Sequence, residues 1–129
     1  AEYAVDVRNR SLADHGFSYA RFQELGFGPV LFSEELRYLR EVRLEDTITV
    51  TARLAGMAPD ASRWRIHHDV FKTNGERAAT VRVEGAWFDL ESRKLIAPPP
   101  ELLEVFLRML RTEDYEELPS VIKQKSPAA

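Results

Sequence analysis

Hydrophobic and polar residues alternate through the middle of the chain with a period of two, as they do in strands that have one exposed face. In the clearest stretch, Ile48 and Val50 alternate with threonines. Four segments follow or extend this pattern: residues 30–43, 46–54, 63–72 and 77–90. The dipeptide Asn74-Gly75, between the last two, suits the positive φ angles of a tight hairpin turn. The sequence therefore predicts four strands in antiparallel succession.

Helical spacing of apolar residues predicts two helices. The first covers residues 16–25, and Gly26 is suited to end it. Asp14 stands where an N-cap residue would, because its carboxylate can accept hydrogen bonds from the unpaired amides of a first helical turn. The second helix covers residues 101–110, directly after a run of three prolines that stops the sheet.

The two ends of the chain complete the predicted architecture. Residues 2–7 alternate loosely over three apolar positions and are predicted to form a short strand. The resulting order, strand, helix, four strands and helix, predicts an α+β fold in which a curled antiparallel sheet wraps around a central helix. We expect residues 1–110 to form a single domain and residues 111–129 to form a charged, loosely ordered C-terminal tail.

Composition narrows the classes of function. The chain of 129 residues carries 18 basic and 21 acidic side chains, so its net charge of -3 provides no positive field for nucleic acid or an anionic membrane. Cysteine is absent, which excludes disulfides, thiolate metal sites and a thiol nucleophile. No apolar run approaches the roughly 18 residues that span a bilayer. These features favour a cytoplasmic protein without nucleic-acid or membrane partners.

Two segments resemble a known family. Residues 17–26, FSYARFQELG, are similar to the first helix of hotdog-fold thioesterases, and residues 36–50, LRYLREVRLEDTITV, are similar to the family's tyrosine-leucine strand entry with its following alternating strand. The hairpin and the proline-led last helix also follow the order of the 4-hydroxybenzoyl-CoA thioesterase-like group. The resemblance covers residues 3–110. It implies the hotdog fold and hydrolysis of an acyl-CoA or acyl-carrier-protein thioester.

The same resemblance implies how the protein assembles and what it needs. Two subunits of a homodimer or homotetramer would join their sheets and bind the thioester between them. No cofactor is expected, since coenzyme A is part of the substrate. Backbone amides at the start of the helix would polarise the thioester carbonyl, and a carboxylate would activate water. By this comparison, Gly16 and Tyr19 are predicted to bind the substrate.

The family's paired acids before the helix are only partly matched. The first acid falls on Asp6, whereas the second, usually the catalytic one, falls on Arg8, which cannot take a proton from water. Asp14 and His15 are the nearest substitutes, and we predict that they activate water, with Asp6 as a further candidate. The alternatives are plainer, because an aspartate often serves only as a helix cap and a histidine is often an ordinary surface residue.

Two other functions stay open. Because Arg8 stands where an acid is expected, the protein could be a catalytically silent hotdog that binds acyl thioesters or acts as a structural subunit. The second alternative is a dehydratase that acts on 3-hydroxyacyl thioesters.

A metal site is disfavoured, since the adjacent His67 and His68 would point to opposite faces of a strand. Four aromatic residues are interpreted first as core and subunit-contact packing and second, in part, as the lining of an acyl tunnel: Trp64, Phe71, Trp87 and Phe88.

Overall fold

The computed structural model describes the backbone of residues 2–43 and 46–122, with side chains from residue 7 onward. Its elements in chain order are α1 (Glu2–Asp14), α2 (Tyr19–Leu25), β1 (Phe27–Tyr38), β2 (Ile48–Met57), β3 (Arg63–Lys72), β4 (Arg77–Asp89), β5 (Leu95–Ile96), α3 (Pro100–Leu107) and β6 (Arg111–Glu117). The sheet has six strands in the order β1-β4-β3-β2-β6, and the short β5 pairs with β4. This curled sheet with few helices is a hotdog fold.

The four strands predicted from the alternating pattern are present, but their antiparallel succession holds only for the last three. Within the sheet, β2, β3 and β4 pair antiparallel in succession, and Gly75 adopts a φ of 84° in the tight turn between β3 and β4. The remaining strand, β1, pairs antiparallel with β4 and not with β2, which follows it in the chain. As a result, β1 lies at one edge of the sheet.

One face of the sheet carries the core. Along β3 the buried side chains are those of Trp64, Ile66, His68 and Val70, and we call the face that they share the inner face. Leu12 of α1 packs against the core cluster beneath it. Phe106 of α3 lies 6.3 Å from Trp64 between ring centroids. Both α1 and α3 therefore pack against the inner face.

The N-terminal prediction is wrong in its secondary structure. Residues 2–7, predicted as a strand, belong to α1, and the segment that was expected to form the first helix contains only the shorter α2. Three alternating apolar positions are too few to distinguish the period of two that is typical of a strand from the period of about 3.6 that is typical of a helix. A helix here places Arg8 and Leu12, four residues apart, on one side. Asp14 ends α1, and α2 is capped by Ser18, whose Oγ accepts a hydrogen bond from the backbone of Arg21 at 3.2 Å.

The C-terminal segment adds a strand to the sheet. Residues 111–117 fall in the region expected to be a loose tail, yet they form β6, which pairs parallel with β2. Leu118 follows and is buried, and a Cβ added at Gly56 would lie 3.0 Å from its Cγ. Packing against β2 therefore orders a stretch whose charged composition alone favours exposure. Nowhere in residues 2–43 and 46–122 is a helix both long and apolar enough to cross a membrane.

Candidate substrate-binding site

A cavity of about 190 Å³ lies between α1, the inner face and α3. Buried apolar side chains form its floor: Trp64, Ile66, Trp87 and Phe106. More exposed polar side chains of α1 form its rim: Arg8, Asn9 and Ser11. An apolar cavity of about 150 Å³ is enough to hold benzene. The arrangement therefore suits a ligand with a compact apolar part and a polar group at the opening.

The floor is built from aromatic rings in mutual contact. Trp64 and Trp87 are 6.1 Å apart between centroids, and Phe106 lies 5.8 Å from Trp87 in an edge-to-face arrangement. The indole N–H of Trp87 donates to the carbonyl oxygen of Ala61 at 3.0 Å. The buried indole N–H of Trp64 has no hydrogen-bond partner within the described part of the chain. The floor is therefore closely packed and, within the described residues, offers the indole N–H of Trp64 as a donor without a partner.

Arg8 at the rim is joined to a histidine of the inner face. Its Nη1 donates a hydrogen bond of 2.8 Å to Nε2 of His68, and Nδ1 of His68 donates to the carbonyl oxygen of Thr51 at 3.1 Å. These two bonds require a neutral ring that carries its proton on Nδ1. The link crosses from α1 to β3 and then to β2, so it fixes the position of the helix on the sheet.

His68 is held neutral by its surroundings. The side chain is fully buried, and burial lowers the pKa of His68 to about 4, with a further lowering by the positive charge of Arg8. The hydrogen bond to Thr51 acts in the opposite direction. Burial also lowers the pKa of Arg8, while the negative charge of Glu34 raises it. At neutral pH the pair is thus a charged guanidinium beside a neutral imidazole.

The residues predicted to activate water lie beyond the rim. Asp14 is the last residue of α1, and His15 follows it, both with exposed side chains. Nδ1 of His15 donates to the carbonyl oxygen of Ser11, a rim residue one helical turn earlier, at 2.7 Å. The expectation that Asp14 caps the next helix is wrong, since Ser18 does so. Their catalytic role stays a prediction.

The other predicted site residues are scattered. Asp6 lies within α1, but its side chain is outside the described residues. Gly16 adopts a φ of 89° in the connection between the two helices. Tyr19 at the start of α2 is 81% exposed, and neither it nor Gly16 lines the cavity. The structure therefore does not bring the predicted substrate-binding residues together with Arg8.

Two residues of the site were missed by sequence reasoning. Arg8 was treated as the replacement of an acid before the helix, whereas it lies inside α1. His68 was considered only as a metal ligand. A signal was present, because His68 occupies an inward position between apolar neighbours in the alternation of β3, and a buried imidazole needs hydrogen-bond partners. Nothing in the sequence identifies Arg8, 60 residues earlier, as that partner.

The opposite, outer face of the sheet is charged. His67 lies there, confirming that the two adjacent histidines point apart. Arg65 pairs with Glu84 at 3.0 Å and with Glu116 of β6 at 2.6 Å. Among the residues with described positions, no three His, Asp or Glu side chains form a group that could hold a metal ion. The inner cavity is therefore the better candidate for substrate.

Comparison with known proteins agrees with the fold. Residues 1–106 match the sequence profile of the thioesterase-like superfamily, and the chain belongs to this superfamily. A curated relative, L-carnitine dehydrogenase/betainyl-CoA thioesterase from Agrobacterium fabrum, is 29% identical over 100 residues, which cover 78% of the chain. The match spans 20% of that relative, so the chain corresponds to about a fifth of its length.

Solved structures share the architecture at low sequence identity. A hypothetical protein from Staphylococcus aureus in complex with CoA has a TM-score of 0.75 and 24% identity, covering 98% of this chain and 82% of its own. DHNA-CoA thioesterase from Staphylococcus aureus has a TM-score of 0.72 and 18% identity, covering 83% and 72%. These similarities concern the fold.

Proposed function

We propose that this protein hydrolyses acyl thioesters of coenzyme A or of an acyl-carrier protein, with the acyl group in the inner cavity. The observation that carries the proposal is a cavity with an apolar aromatic floor and a polar rim in a thioesterase-superfamily fold. A thioester also has an apolar part and a polar part, since its acyl chain is apolar and its carbonyl group and carrier are polar. The names of the relatives support the reaction class.

The alternative hypothesis, a catalytically silent protein, has less support than the sequence suggested. That alternative depended on Arg8 occupying the position of a catalytic acid before the helix, and Arg8 lies within α1. Asp14 and His15 remain our candidates for activating water, because His15 is bonded to the backbone of Ser11 at the rim. We also keep the prediction of a cytoplasmic location.

The cavity sets the size of the acyl group. Its 190 Å³ would hold a single ring or a short branched chain, but not a long fatty acyl chain. We expect kcat/KM for benzoyl-CoA to exceed that for palmitoyl-CoA by at least about tenfold, because specificity follows differential fit in the transition state. Thiol release with Ellman's reagent measures both. Ala52→Leu, which narrows the cavity, should depress the benzoyl rate, whereas Ala13→Leu on the exposed side of α1 should not.

Absence of turnover with every thioester tested, in a folded protein, would contradict the proposal. A preference for palmitoyl-CoA would contradict the assignment of the cavity. Product analysis by mass would separate loss of thiol from the loss of water expected of a dehydratase.

A betainyl group is a second candidate for the acyl substituent. The aromatic floor favours it, because a quaternary ammonium is attracted to the faces of aromatic rings. The positive charge of Arg8 at the rim opposes it. Betainyl-CoA and 3,3-dimethylbutanoyl-CoA have nearly the same shape and differ in charge, so their relative rates decide between a cationic and a neutral substrate.

We further propose that two copies join through β1. This strand lies at the edge of the sheet and exposes Phe32 and Tyr38 by 47% and 62%. An exposed apolar edge strand is a template for pairing with another chain. Leu31 of the same strand lines the cavity, so a partner at this edge would lie next to the binding site.

Phe32→Asp is expected to convert the dimer into a monomer, because a carboxylate at the interface would have to be desolvated. Light scattering after size-exclusion chromatography measures the mass. Leu107→Asp, at an exposed apolar position of α3 away from the edge, is the matched control and should remain dimeric. A Phe32→Asp protein with the mass of the wild type would exclude β1 as the interface.

A further inference from the structure

Arg8 has hydrogen-bonding capacity that its role as a tether does not use. Its bond to His68 engages one of five guanidinium N–H donors, and the side chain makes no other hydrogen bond within the described residues. The guanidinium is half-buried and lines the cavity. A partly desolvated cation facing a cavity favours a ligand that supplies an acceptor oxygen.

The geometry of the cavity indicates which oxygen this is. The floor is apolar, so the hydrocarbon part of an acyl group is stabilised there, and the polar end of the group remains at the rim. In an acyl thioester, the first polar atom beyond the hydrocarbon is the carbonyl oxygen. Arg8 is the charged donor among the described rim residues. The carbonyl oxygen is thus the acceptor that arrives beside it.

We propose that Arg8 is a catalytic residue that donates a hydrogen bond to the thioester carbonyl oxygen, and that His68 is the positioning residue that directs its guanidinium. This proposal rests on the proposed thioesterase function. His68 is suited to the task, because its Nε2 accepts from Arg8 while its Nδ1 is anchored on Thr51. The imidazole is neutral and adds no negative charge beside Arg8, whose guanidinium also feels the negative charge of Glu34.

The chemical step gives this contact a function. A water oxygen forms a bond to the carbonyl carbon, the C=O π pair moves onto the carbonyl oxygen, and the proton released by water passes to a base or to solvent at the rim. The pair then returns, the C–S bond breaks, and the thiolate takes up a proton, so that thioester and water become acid and thiol. The negative charge on oxygen exists only between these events. A cation beside it therefore lowers the barrier more than it strengthens binding.

The first test separates kcat from KM. Arg8→Met is expected to lower kcat by about 100-fold or more, the range for loss of one oxyanion donor, with KM changed by less than about threefold. Arg10→Met is the matched control on the exposed side of the same helix and should retain the wild-type values. His68→Leu should lower kcat through misplacement of Arg8. His68→Gln, which keeps an acceptor, should restore part of the loss.

The second test does not depend on turnover. A dethia analogue of benzoyl-CoA, with CH₂ in place of sulfur and ¹³C in the ketone carbonyl, is bound to each protein and observed by NMR. Hydrogen bonding to the cation should move the ketone resonance downfield in the wild type and in Arg10→Met, and this shift should be lost in Arg8→Met. A structural tether alone would not move the resonance.

The outcomes are distinct. Unchanged kcat in a folded Arg8→Met protein, or an unchanged ketone shift, overturns the proposal even if the wild type is an active thioesterase. A shift that depends on Arg8 in a protein without thioesterase activity supports the contact and contradicts the proposed function. Should Arg8→Met fail to fold, Arg8→Lys keeps the charge and tests the geometry. A wild-type shift and kcat in that variant would overturn the role of the guanidinium.

Discussion

Gly85→Ala is expected to lower the free energy of unfolding by about 3 kcal/mol, the upper part of the range for overpacking a core. An added Cβ at Gly85 would lie against the carbonyl oxygen of Val30 and within 2.7 Å of Cζ2 of Trp64. The first contact is backbone of the paired strand β1, and the second belongs to a buried ring. Neither can move aside without disturbing the sheet or the cavity floor.

Gly28→Ala is the matched control. Gly28 lies on β1, paired with Phe88 of β4, and a Cβ there would meet no atom within 4 Å. Urea unfolding of both variants measures the difference. We expect Gly28→Ala to remain within about 1 kcal/mol of the wild type, because the position has space and an ordinary φ. Equal midpoints for the two variants would contradict the close packing between Gly85 and Trp64.

The stability of the protein is expected to rise by about 3 kcal/mol between pH 4 and pH 6.5 through His68 alone. Burial, followed by the charge of Arg8, lowers the pKa of His68 from 6.5 to about 4 in the folded state. Between these values the unfolded chain binds a proton at His68 that the folded chain does not. Stability therefore increases with pH across this window and gains nothing more from His68 above it.

Urea unfolding at several pH values measures this effect. In His68→Gln the rise between pH 4 and pH 6.5 should be smaller than in the wild type by about the same 3 kcal/mol. The pKa of His67 on the outer face is also lowered, first by burial and then by the charge of Arg82. The variant His67→Gln therefore shows how much of the rise in stability with pH comes from His67. If stability rose with pH in His68→Gln as steeply as in the wild type, the protonation of His68 would not be the cause of the pH dependence.

Sequence reasoning was reliable where one period extends over many residues. The alternation in β2 and β3 and the Asn74-Gly75 turn are local features, and the structure confirms them. It failed at α1, where three alternating apolar positions also suit a helix. It also failed at β6, because the polar sequence of this strand is accommodated by pairing with β2. Both errors concern elements whose conformation depends on distant partners.

The sequence by itself determined the strand-rich α+β class, the presence of the four central strands, the bounds of β3, the hairpin and the resemblance to hotdog thioesterases. The tertiary structure decided that β1 pairs with β4, that α1 packs against the inner face, and that Arg8 meets His68 above an aromatic floor. The physical reason is the separation along the chain over which each interaction acts. Periodicity and turn preference act between residues a few positions apart, whereas a buried imidazole selects its partner by proximity in the folded chain.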